Sequence, residues 1–91
     1  MSVKVDQVVR AFEKLGMEIN EGRDKWAYFK INGRSITKTR VPHGRGDLSG
    51  NLPDMVRTQL KLNDEQFRDL IACPLKRTDY IAILIKKGFD L

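Results

Sequence analysis

A chain of 91 residues, 41% hydrophobic and 32% charged, has the size and composition of one globular domain, residues 1–91, which excludes a two-domain enzyme and a disordered or fibrous protein. The longest apolar run, Tyr80–Ile85, is far shorter than the roughly 20 residues that span a membrane, and a single cysteine cannot form an internal disulfide, so we expect a cytoplasmic protein with no membrane segment. The net charge of +5 is concentrated between Arg23 and Arg45, where seven Lys and Arg residues and one Asp give 7 − 1 = +6. A local excess of positive charge of this size attracts polyanions.

The N-terminal third of the chain predicts a helix followed by a short strand. Apolar residues recur at steps of three and four from Val5 to Leu15, which is typical of one face of an amphipathic helix. Gly16 is expected to end this helix, since glycine is common at helix C-termini. Met17–Asn20 then predicts a strand, and the polar residues 21–24 predict a turn.

The clearest local signal is a β-hairpin. Lys25–Ile31 is rich in aromatic and β-forming residues, and it is followed by Asn32-Gly33, the pair best suited to a type I′ turn. The returning strand is predicted to run from Arg34 to Val41 and to end before Pro42, which has no N–H. A two-residue turn would place Phe29 opposite Ile36, and Ile36 and Val41 can then share a face only if a bulge intervenes.

The rest of the chain predicts a glycine-containing loop over residues 43–51 and three helices. The first helix covers Leu52–Leu62, and the second begins near Asn63, with Gln66 placed for a capping-box-like pair. The last is predicted over Thr78–Lys87 and should stop at Gly88. The expected fold class is therefore α+β: a three-stranded antiparallel sheet packed by helices in the order α-β-β-β-α, with two additional C-terminal helices.

The second strand predicts two different sheet faces. Alternation places Ala27 and Phe29 on one face and Trp26, Tyr28 and Lys30 on the other. If the first two helices cover the apolar face, the aromatic and basic face is left uncovered. Rings that stack on bases beside cations that hold phosphates are typical of a single-stranded RNA site, although ordinary sheet packing or a dimer surface would use such a face equally well.

The α-β-β-β-α order is that of the double-stranded-RNA-binding fold, and several short motifs resemble the HicA-like toxin family. These are Gly16, the strand Trp26–Lys30, the Asn32–Arg34 turn, the segment Val41-Pro42-His43-Gly44 and the helix end Gln59–Leu62. The resemblance covers residues 5–62, which makes residues 1–62 a HicA-like core and 63–91 a helical extension. It implies an mRNA interferase of a type II toxin–antitoxin system and a HicB-like antitoxin as partner.

One departure from the family concerns catalysis. The position of the family's catalytic histidine falls on Asp24 or Lys25, and the only histidine, His43, matches the Val-Pro-His step instead. Cleavage through the 2′-hydroxyl of RNA needs a proton acceptor and a proton donor, so His43 is the remaining candidate for a catalytic residue.

The sequence is therefore compatible with two functions. The first is an RNA-binding, toxin-like protein that acts as a metal-independent endoribonuclease; the alternative is a non-catalytic RNA-binding or protein-interaction module, either of which is compatible with a homodimer. We expect no cofactor and no metal site, because the chain has one histidine and one cysteine. The predicted RNA-binding residues are Arg23, Lys25, Trp26, Tyr28, Lys30, Arg34, Lys38, Arg40 and Arg45.

Overall fold

The computed structural model describes residues 3–44, 46–72 and 74–91 and has the predicted α+β architecture. Its elements follow the order α-β-β-β-α-α-α. They are α1 (Val5–Lys14), β1 (Glu18–Glu21), β2 (Lys25–Ile31), β3 (Arg34–Val41), α2 (Leu52–Gln59), α3 (Asp64–Ala72) and α4 (Arg77–Lys86). Across these described ranges, no helix is long and apolar enough to cross a membrane.

The sheet is an antiparallel meander in the order β1-β2-β3. Asn32 and Gly33 both have positive φ, 51° and 80°, which confirms the type I′ turn. The pairing of Phe29 with Ile36 is wrong: Phe29 lies opposite Thr37 and Lys30 lies opposite Ser35. The bulge therefore falls on Ile36 itself, and this extra residue shifts the register of everything that follows in β3.

Helix ends explain two other differences from the sequence prediction. Gly16 ends α1 with φ 71°, and the N–H of Met17 donates to the carbonyl of Phe12 at 3.0 Å. Because this bond completes the helix end, β1 begins one residue later than predicted, at Glu18. Helix α2 stops at Gln59 and not at Leu62, since Lys61 adopts φ 64°.

The inner face of the sheet is covered by more than the first two helices, which corrects the expectation that α1 and α2 are its cover. Tyr80 of α4 packs edge-on against Phe29, with ring centroids 4.7 Å apart at 74°. Its hydroxyl donates to the Leu60 carbonyl at 2.9 Å and lies 2.8 Å from the Thr37 hydroxyl. Burial raises the pKa of Tyr80 to about 12. The C-terminal helix is therefore part of the core that the sheet and α1 share.

Arg77 links α4 to the end of α1. Its guanidinium donates to the Leu15 carbonyl at 2.6 Å and lies 4.8 Å from the centre of the Phe29 ring. A cation at the C-terminal end of a helix interacts favourably with the unpaired carbonyls there. Gly16 leaves room for this contact, since a Cβ at this position would lie 3.0 Å from the Arg77 guanidinium and would push it aside.

The remaining helices and the long loop are held by local contacts. Asn63 and Gln66 form the predicted capping pair, each side chain accepting from the other's backbone N–H at 2.8 and 3.0 Å. The loop before α2 is tied to the N-terminal segment, because Leu48 N–H donates to the Val3 carbonyl and both side chains are buried. This anchoring fixes the chain shortly after His43.

Candidate nucleic-acid interface

The outer face of the sheet presents the aromatic and basic residues that alternation predicts. Trp26 pairs with Arg40 and Tyr28 pairs with Lys38 across β2 and β3, and all four side chains are at least partly exposed. The intervening Ala27 and Phe29 are fully buried beneath the helices. The sheet therefore separates an apolar inner face from an outer face that carries rings and cations.

The rings on this face form a continuous row with cations at both ends. The Trp26 and Tyr28 rings have centroids 6.3 Å apart and planes only 19° apart. The Arg40 guanidinium lies 5.4 Å from the centre of Trp26, and the Lys30 ammonium lies 5.7 Å from the centre of Tyr28. We call this row, Arg40-Trp26-Tyr28-Lys30, the aromatic ladder. Two nearly parallel ring faces on one surface can each stack on a planar base.

The cations on the outer face of the sheet form at most weak ion pairs with other residues of the protein. Lys30 forms an ion pair with Glu18 on β1, and Arg40 lies 3.8 Å from Asp24. Both pairs are exposed, and such pairs contribute about 0–1 kcal/mol. Lys38 has no ion pair with any residue that the structure describes. All three positive charges are therefore available to an anionic ligand.

His43 is held against the turn that joins β1 and β2. Its Nε2 lies 2.8 Å from the carbonyl oxygen of Gly22. A carbonyl can only accept, so Nε2 carries the proton and donates, and in the neutral ring Nδ1 is left with the lone pair. The turn also carries Asp24, one of the two positions onto which the family's catalytic histidine falls. The fold thus brings His43 to that turn although 21 residues separate it from Gly22 in the sequence.

A cleft of about 190 Å³ opens at the same end of the sheet. Asp24 and Arg40 supply its charged side chains, and apolar side chains from the end of β3 and from α2 supply the rest. His43 follows directly after Pro42, which lines this cleft. Asp24 and Arg40, 3.8 Å apart, therefore line a cleft beside the turn that His43 contacts.

The other predicted RNA-binding cations lie away from the ladder. Arg23 is exposed in the β1–β2 turn. Lys25 shares the inner face of β2 with the buried Ala27 and Phe29, opposite to the ladder, and pairs with Glu21 at 3.7 Å. Arg34 lies at the opposite end of the sheet, where its guanidinium donates to the Asp90 carbonyl, and Arg45 lies outside the described residues. The structure thus brings together five of the nine predicted RNA-binding residues, namely Trp26, Tyr28, Lys30, Lys38 and Arg40.

Sequence reasoning missed two residues beside this face. Gln59 and Lys61, at the C-terminal end of α2, line a groove that also includes Trp26 and Lys38. Their proximity depends on how α2 packs along β3, which no local pattern encodes. The only sequence signal is a lysine placed where a helix ends and a glycine is usual.

Within residues 3–44, 46–72 and 74–91, no three His, Cys, Asp or Glu residues gather in a way that could hold a metal ion. No protein-family model matches the chain, and comparisons with curated proteins and with solved structures give no significant match.

Proposed function

We propose that this protein binds single-stranded RNA across the outer face of its sheet. The observation that carries the proposal is the aromatic ladder, in which two nearly parallel rings are flanked by the cations Arg40 and Lys30 on a face where all four side chains are at least partly exposed. The +6 segment from Arg23 to Arg45 and the resemblance to HicA-like toxins support the same class of ligand.

Binding of this kind divides into two physical contributions. Bases stack on the Trp26 and Tyr28 rings, which contributes about 1–3 kcal/mol per base and tolerates any sequence. Phosphates bind Lys30, Lys38 and Arg40 and release counterions, so that log K falls with log salt by roughly 0.7 for each contact on a single strand. Three contacts give a slope of about −2. A duplex hides its base faces, so single strands should bind more tightly.

The single tryptophan of the chain makes the proposal directly measurable, because Trp26 is part of the ladder. We expect its fluorescence to be quenched on titration with a single-stranded RNA oligomer and to change little with a blunt duplex of the same length. Tyr28→Leu should weaken binding by about 5- to 150-fold, the equivalent of one lost stacking contact, while Trp26 still reports it.

The matched control is Lys86→Ala, which removes a charge from an exposed position on α4 that forms no ion pair in the described chain. This variant should bind nearly as well as the parent. If single strands leave Trp26 unchanged, or if Tyr28→Leu binds as tightly as the parent, the sheet face is not the RNA site. The protein-interaction alternative would then be favoured.

A second function, RNA cleavage, is favoured by the geometry of His43. With Nε2 donating to Gly22, Nδ1 can accept the proton of a 2′-hydroxyl as its oxygen attacks the adjacent phosphorus. The new O2′–P bond forms while the P–O5′ bond breaks, and the leaving oxygen takes a proton from water. The Arg40 guanidinium, which lines the neighbouring cleft, would stabilise the charge on the phosphorus oxygens.

Cleavage can be tested with end-labelled RNA in EDTA, followed over time by gel electrophoresis. The parent should produce fragments, and His43→Gln should not, although glutamine can still donate to Gly22. Because His43→Gln retains a donor, its RNA affinity should match that of the parent. Fragments from His43→Gln at the parent's rate would remove His43 from the mechanism. Retardation of RNA without cleavage by the parent would leave a binding protein.

A further inference from the structure

A groove of about 330 Å³ lies along the outer edge of β3, beside the C-terminal end of α2. Its volume is at the lower end of the roughly 300–1,000 Å³ typical of small-ligand sites, so it has room for one small group. It is continuous with the aromatic ladder through Trp26. The lining residues are Trp26, Ile36, Thr37, Lys38, Gln59 and Lys61.

The charge of this groove favours an anion. Two of its six lining residues are lysines and none is acidic. Neither the Lys38 nor the Lys61 ammonium forms an ion pair with any described residue. Two unpaired cations beside a partly exposed tryptophan are the combination that binds a phosphate together with the base attached to it.

The backbone at Lys61 is the second observation. The helix α2 ends with the Lys61 N–H donating to the Thr58 carbonyl at 3.0 Å and the Leu62 N–H donating to the Arg57 carbonyl at 3.1 Å. This is the Schellman arrangement, in which the residue with positive φ is usually glycine. Here it is a lysine at φ 64°.

The same chain uses glycine where the side chain has no role. Helices α1 and α4 end in the same hydrogen-bond pattern, with Gly16 at φ 71° and Gly88 at φ 99°. A lysine at the third such position is conformationally unfavourable, and residues held in this backbone region are found preferentially at functional sites. The lysine side chain is therefore expected to have a use that glycine cannot supply.

We propose that this groove holds one nucleotide of the bound single-stranded RNA, with its phosphate between the Lys38 and Lys61 ammonium groups and its base against Trp26. The inference rests on the proposed function and adds the place where the strand leaves the sheet face. Gln59 has an exposed amide at the same end of α2 and can hydrogen-bond to the base or ribose. The strand would then run from the aromatic ladder over the edge of β3.

Lys61→Gly provides a test in which stability and binding should change in opposite directions. Glycine adopts φ 64° without strain, so the melting temperature should rise. Loss of one phosphate contact should weaken RNA binding about three- to tenfold and make the salt slope shallower by roughly 0.7. Binding is measured by Trp26 quenching with a single-stranded RNA oligomer at several salt concentrations.

Two further variants distinguish the loss of a phosphate contact in the groove from a general effect of net charge. Lys61→Arg should retain the parent's affinity, and Lys86→Ala, with the same loss of charge on α4, should retain the parent's salt slope. If the parent binds RNA and Lys61→Gly keeps both its affinity and its slope, the groove inference is overturned while the ladder stands. If the parent fails to bind any RNA, the proposed function itself fails, and the groove inference fails with it.

Discussion

Replacing Thr39 with valine should stabilise the protein, because the Thr39 hydroxyl is buried without a hydrogen-bond partner. Thr39 is 0% exposed and lies on the inner face of β3 opposite Ala27. Its Oγ1 has no partner among the described residues. A buried hydroxyl in this state costs about 1–3 kcal/mol. Valine has the same branched shape, so its extra methyl replaces the hydroxyl without opening a cavity.

Thr37 provides a matched comparison two residues earlier on the same strand. It is also buried, at 4% exposure, but its hydroxyl lies 2.8 Å from the Tyr80 hydroxyl. Since Tyr80 donates to the Leu60 carbonyl, Thr37 must donate to Tyr80. Thr37→Val should therefore destabilise by about 1 kcal/mol, although the chemical change is the same as at Thr39.

Urea unfolding followed by circular dichroism measures both effects. We expect Thr39→Val to raise the free energy of unfolding by about 1–2 kcal/mol with an unchanged m-value. In a domain of this size each kcal/mol corresponds to a rise in melting temperature of about 4–8 °C. Thr39→Ser retains the hydroxyl and should not stabilise. If Thr39→Val loses stability as Thr37→Val does, the Thr39 hydroxyl is hydrogen-bonded in solution and the reasoning is refuted.

Three other changes follow from contacts in the fold. The pKa of Tyr80 is raised from 10.0 to about 12, so the unfolded chain loses the phenol proton at a lower pH than the folded protein does. The contribution of Tyr80 to the free energy of unfolding is therefore constant below pH 10 and falls by about 3 kcal/mol between pH 10 and 12. Tyr80→Phe should lack this part of the fall when urea unfolding is measured across that pH range. Arg77→Met should destabilise by about 2 kcal/mol, measured by urea unfolding, through loss of its contacts with Leu15 and Phe29. Asn63→Ala should cost about 1 kcal/mol in the same assay by removing the cap of α3.

The sequence was most informative where one or two residues dictate local geometry. Asn32-Gly33 specified its turn, and Asn63 with Gln66 specified the start of α3. The position of the bulge was not predictable, because Ile36 and Thr37 are both β-branched and either suits a strand. Only the packing of Thr37 beneath Tyr80 decides which one pairs with Phe29.

The candidate interface was predictable in part for the same reason. Strict alternation along β2 placed Trp26 and Tyr28 on one face. The ladder also depends on the pairing of Arg40 with Trp26 across β2 and β3, which the structure shows. The contact between His43 and Gly22 depends on a loop conformation that no periodic pattern describes. The role inferred for Lys61 depends on the packing of α2 along β3, which is a tertiary property.

The docking of α4 has a consequence for the order in which the protein can fold during synthesis. Phe29 lies on the central strand of the sheet, yet the side chains that cover it include Arg77 and Tyr80, 48 and 51 residues later in the chain. A nascent chain that has emerged only as far as α2 would expose this apolar surface to solvent. We therefore expect the core of the sheet to be completed only when the C-terminal helix docks, and a protein shortened to residues 1–62 to aggregate instead of forming a smaller domain.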